Sequence, residues 1–166
     1  MQDIVKDVKE FLENKFQAKF EEKKSDKGIH TLEHHNFMTN FEVQVSFSES
    51  KDSLKRTIII RMFLGKKKKM DPNLKQKLIN YLNQLNWELF YGRFFLFDKE
   101  DESIIYLRGD FPAVTKTRDI DFTQFDHFIS VLVQMCRQNV PKLNEFLSYY
   151  SRQFANGTTQ DGVLSF

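Results

Sequence analysis

Apolar and polar positions follow two periods along this chain, and the change from one to the other marks out its elements. Ile4, Val5, Val8, Phe11, Leu12, Phe16 and Phe20 recur at helical spacing with Lys and Glu between them, which predicts a first helix over residues 3 to about 24. Lys19, Lys23 and Lys24 fall in its expected last turns, where positive charge suits the helix dipole. Beyond residue 29 the period shortens toward two. Phe41, Val43, Val45 and Phe47 alternate with Glu42, Gln44 and Ser46, the pattern of a half-buried strand, and after a polar turn over 48–53 the run Thr57 to Leu64 pairs back on it. Residues 29–38 form a further, weaker strand or a loop.

The helical period then returns. Asp71 before Pro72 is a cap followed by a proline at the first helical position, and Leu74, Leu78, Ile79, Leu82 and Leu85 give the inward stripe of a helix that ends near Asn86. Residues 86–112 read as a hairpin. Phe94 to Phe97 and Ile104 to Leu107 flank the polar segment Asp98-Lys99-Glu100-Asp101-Glu102. Apolar side chains on both faces of Phe94-Phe95-Leu96-Phe97 ask for cover on each side. A loop over 112–120 leads to Asp121, which caps a long final helix carrying Phe122, Phe125, Phe128, Ile129, Leu132, Val133 and Cys136, with Pro141 expected to kink or restart it. The order is α-β-β-(β)-α-β-β-α. It predicts an α+β fold with an antiparallel sheet of about five strands, one domain over 1–154 and a loose tail over 155–166.

Composition sharpens this in one respect. The chain of 166 residues holds 18 Phe, so either the core is unusually aromatic or some rings line a surface meant to be covered. No run reaches the ~20 apolar residues of a membrane span, no leader pattern opens the chain, and a single cysteine suits a reducing, cytoplasmic setting. A net charge of +2 provides no global field for nucleic acid.

The passage Leu82-Asn83-Gln84-Leu85-Asn86, then Gly92-Arg93-Phe94-Phe95-Leu96, an acidic turn, Ile104-Ile105-Tyr106-Leu107-Arg108, Phe111-Pro112 and the acids Asp119 to Asp121 resembles the YbjN family and the wider type III secretion chaperone-like fold. The resemblance covers roughly residues 1–150. It implies a small α+β domain, often dimeric, that binds other proteins and carries no catalysis of its own.

Candidate chemistry is thin. His30, Glu33, His34 and His35 lack the ligand count and geometry of a zinc site, and adjacent His34 and His35 would face opposite ways in a strand. Cys136 has no base near it in sequence and reads as a buried thiol. The acidic turn lacks the glycine-bearing spacing of a calcium loop. No catalytic, cofactor or metal residue is therefore assigned. An enzyme would require folding to gather His127, Asp119 or Asp121, and Cys136 in one cleft.

The expected function is a cytoplasmic, non-enzymatic binding module, chaperone-like or regulatory, whose apolar face and strand edges accept a partner polypeptide or a second copy in a homodimer. Trp87, Phe90 and Tyr91, with Ile58, Ile60 and Met62 on the strand from Thr57 to Leu64, are the candidate partner or dimer residues. The alternative is a basic adaptor that meets RNA or an anionic membrane surface through Lys66, Lys67, Lys68 and Lys69. Aromatic interleaving of the kind that stacks bases is absent from that lysine run itself.

Overall fold

In a computed structural model, residues 2–26, 29–37, 41–49, 55–68, 70–99, 101–114 and 120–154 are described. The elements are α1 (Gln2–Phe16), β1 (Glu21–Lys24), β2 (His30–Phe37), β3 (Phe41–Glu49), β4 (Lys55–Lys68), α2 (Pro72–Trp87), β5 (Gly92–Lys99), β6 (Glu102–Val114) and α3 (Phe122–Phe154). Six strands form one antiparallel sheet in the order β1-β2-β3-β4-β6-β5. The α+β class and element order agree with the sequence pattern.

The helices cover one side of the sheet. Alternate residues of the central strands, Ile58, Ile60, Met62 and Leu64 on β4 and Ile105, Leu107 and Phe111 on β6, are buried beneath them. Gly92 and Gly109 are cross-strand partners, and the pair makes the seat for α3. A Cβ on Gly109 would lie 2.7 Å from Leu132 Cδ1 and 2.8 Å from Phe128 Cζ, so glycine is what lets the helix settle this close. Farther along α3, Cys136 Sγ lies 3.6 Å from Met62 Sδ. The other helices close around α3. Phe11 of α1 stacks on Phe122 at 5.1 Å between ring centroids, and Tyr81 of α2 stacks on Phe146 at 4.5 Å.

Three boundaries differ from expectation. The first helix stops at Phe16, and residues 21–24 are a strand instead of its last turns. Gln17 takes a left-handed backbone (φ 52°), and the Phe20 amide donates to the Glu13 carboxylate at 2.9 Å, turning Phe20 into the core. The strand Glu-Glu-Lys-Lys carries no alternation and is exposed at every position, so periodicity could not reveal it. Residues 30–37 are a full strand, and β6 continues through Pro112 to Val114. Pro141 lies inside α3, which runs on past it. Most of the expected turn over 48–53 and the whole tail over 155–166 lie outside the described residues.

The β1 edge is guarded along its length and the β5 edge at one residue. The β1 edge is short and charged, a common defence against strand addition. At the β5 edge the side chain of Asn86 takes the place of a neighbouring strand at Phe94. Its Oδ1 accepts from the Phe94 N–H at 2.7 Å and its Nδ2 donates to the Phe94 carbonyl at 2.9 Å.

Candidate functional site

The connection from α2 to β5 forms an aromatic corner. Asn86 ties the end of α2 to β5, so the intervening residues must bulge outward. Trp87 is 90% exposed and Phe90 is 94% exposed, values that only solvent-facing rings reach. Tyr91 leans back on α3, edge-on to His127 and to Phe128 at 6.4 and 6.2 Å. A cleft of about 450 Å³ opens beside Phe90 and Tyr91 and runs onto the sheet at Arg93, Phe95, Arg108 and Asp110. The corner thus joins the side of the sheet away from the helices.

That open side is organised in rows across the strands. Phe63, Tyr106 and Phe95 are partners on β4, β6 and β5. Their rings form a ladder, with centroids 5.9 Å apart for Phe63 and Tyr106 and 5.5 Å apart for Tyr106 and Phe95. Phe95 and Phe97 on the edge strand are 40% and 52% exposed. The next row crosses all six strands as Glu21, Glu33, Gln44, Arg61, Arg108 and Arg93, acidic at one end and basic at the other. Side chains link its middle: Gln44 Nε2 donates to Glu33 at 3.0 Å, and Arg61 donates to the Gln44 amide oxygen and to Ser46 Oγ, both at 3.2 Å. The Lys23 ammonium, donating to the Glu33 carboxylate, holds that carboxyl below the usual range. Arg108 Nε donates to Asp110 at 2.9 Å, and Arg93 donates to the Leu89 and Gly92 carbonyls.

Ile58, Ile60 and Met62 need correction. They belong to the buried core on the helix side of β4 and are closed to a partner. The period of two makes Thr57, Ile59, Arg61 and Phe63 the outward set of that strand. In the lysine run, Lys66 is exposed and paired with Ile104 on the open side, while Lys67 is opposite the buried Ser103, and burial lowers its amine below the usual lysine range. Lys68 is opposite Glu102 in the register, so the acidic hairpin adjoins the run. Lys69 lies outside the described residues.

The remaining candidates stay apart. His30 is buried and meets Glu22 at 2.9 Å, and His34 takes the Lys19 carbonyl as its Nδ1 partner. Among the described residues no group of three His, Cys, Asp or Glu side chains could hold a metal ion. Cys136 is fully buried, and burial pushes its thiol up to about 12. His127 is exposed beside Tyr91, whereas Asp121 accepts from the Thr123 and Gln124 amides as the cap of α3. Asp119 lies outside the described residues.

Among known families, the profile of YbjN, described as "Putative bacterial sensory transduction regulator", matches residues 5–145. The chain belongs to the YbjN family. The match takes in the corner and both rows of the open side, so the site lies within the YbjN region and not on an appendage to it. The description is of regulators, not of enzymes. No curated protein and no solved structure matches this YbjN chain. None of its helices, among the described residues, is long and apolar enough to cross a membrane.

Proposed function

We propose that this YbjN protein is a non-enzymatic regulatory module that binds a partner polypeptide at the corner of Trp87, Phe90 and Tyr91. The observation that carries the reading is the near-complete exposure of Trp87 and Phe90 at a corner pinned from below by Asn86. Large rings held in water on a rigid support are the usual anchors of a protein interface, because covering them removes apolar area at little conformational cost. The family's regulatory description fits such a module. The partner is a cytoplasmic polypeptide segment, as in the secretion chaperones that the sequence resembles, or a second copy in a homodimer. With β1 short and charged and Asn86 occupying the β5 edge at Phe94, docking in this reading is by side chains into the corner.

A photo-cross-linking residue at position 90, introduced in the native cell, tests this. A polypeptide should be captured there and not from the exposed Lys6 position on α1, and Trp87→Ala should lower its yield about tenfold or more, the loss of a typical anchor. Equal capture from both positions, or none from position 90, would refute the reading.

A further inference from the structure

The arginine row and the aromatic ladder reach beyond the corner cleft, which takes in only Arg93, Arg108 and Phe95 of them. Like charges directly opposite one another destabilise a sheet. Arg61, Arg108 and Arg93 nevertheless occupy paired positions on three consecutive strands. Over the four rows from Ile104 to Asp110, the open side of β4, β6 and β5 carries these arginines and Lys66 against one carboxylate, Asp110. The ladder lies between the cations. Rows two residues apart are separated by about 7 Å along the strands, so Lys66 is about one row beyond the rings and the arginines one row before them.

We infer that the open side of β4, β6 and β5 binds single-stranded nucleic acid, with the exposed rings of Phe95, at the end of the ladder, and Phe97 stacking bases and Arg61, Arg108, Arg93 and Lys66 meeting phosphates. Exposed rings beside a cationic track are the chemistry by which strands without sequence readout are held. Cations on both sides of the ladder suit a chain in which planar rings alternate with anionic links. A mononucleotide supplies its phosphate on one side only. A second copy of this chain fits poorly: a two-fold pairing centred on the ladder sets the arginine row against itself or against Lys66. A base-paired duplex cannot present its bases to the rings. The near-neutral charge of the whole chain is no obstacle, since what binds is the local field of this side.

Fluorescence anisotropy of labelled oligouridylate and oligothymidylate with the full chain, at low and raised salt, tests the inference. Binding should weaken steeply with salt, and a duplex of equal length should bind more weakly. Phe95→Ala should reduce affinity about five- to a hundredfold, the range for one lost stacking partner, while Phe95→Trp should retain it. Arg108→Gln should flatten the logarithmic salt slope by about 0.7, one phosphate contact on a single strand. Phe95 is exposed on an edge strand, so its variants should unfold at the wild-type denaturant midpoint to within the change expected of a surface ring. Lys6→Ala, on α1, should bind as wild type. The inference is overturned by absence of binding at low salt, by equal affinity for duplex, or by unchanged affinity in Phe95→Ala. It is overturned equally by sedimentation of a dimer that Phe95→Ala dissociates, or by binding to anionic vesicles without binding to the oligonucleotides.

Discussion

Asn86 does more than end a helix. Its amide answers both backbone groups of Phe94, so one side chain occupies the β5 edge at that residue and fixes where Trp87 to Tyr91 must bulge. Asn86→Ala leaves a donor and an acceptor unanswered in a part-buried place and should cost about 1–3 kcal/mol in denaturant unfolding. Asn86→Asp keeps an acceptor for the N–H but sets a second oxygen against the Phe94 carbonyl, so it should also destabilise. Cys136 illustrates the opposite situation, a reactive group with nothing to react with. Buried and held up to about 12, its thiol should resist alkylation until the chain unfolds. The folded state keeps the proton that the unfolded chain releases in the ordinary thiol range. Stability from this group is therefore complete at neutral pH and is lost as pH climbs from that range toward about 12. Denaturation of wild type and Cys136→Ala at several alkaline pH values isolates the effect, with wild type losing ground relative to the variant as pH rises.

The helices were the easier elements to read. α2 announces itself through Asp71, whose carboxylate accepts from the Asn73 and Leu74 amides, through Pro72 at its start, and through a leucine stripe. The helix expected to residue 24 is longer than α1 because Glu21-Glu22-Lys23-Lys24 favours helix in isolation, and only pairing with β2 makes it a strand. Nothing local marks Gly92 and Gly109 as partners. They are 17 positions apart in sequence, and their pairing shows only once the hairpin register is known. Gly109→Ala would press a methyl group into Leu132 and Phe128 and should destabilise by about 1–3 kcal/mol, seen as a lower urea midpoint with unchanged slope. Pro141 supplies no amide to α3 and faces solvent, so Pro141→Ala should raise stability by about 1–3 kcal/mol in the same measurement.

Taken as a body, the domain has a side that holds it together and a side that does not. Leu107 faces the helices and its neighbour Tyr106 faces outward. Leu107→Ala should therefore cost about 2–5 kcal/mol, while Tyr106→Ala should cost about 1 kcal/mol, mainly its ring contacts. Equal losses in a urea titration would contradict this division of labour. The same division explains what the chain could disclose about its site. Trp87, Phe90 and Tyr91 stand out in one short stretch, and the structure exposes them at the corner. Ile58, Ile60 and Met62 of β4 belong to the inward phase of a strand whose two sides are both rich in apolar groups, so sequence alone does not separate them from the outward set. The ladder and the arginine row are hidden in the sequence because their members come from β4, β5 and β6. Interleaving of rings with cations is absent along the lysine run and runs instead from strand to strand.

The row from Glu21 to Arg93 has a further consequence. With carboxylates at one margin and guanidinium groups at the other, it sets up a transverse dipole moment perpendicular to the strands. Near a polyanion the guanidinium margin of the row is the attracted one, which favours approach by β5.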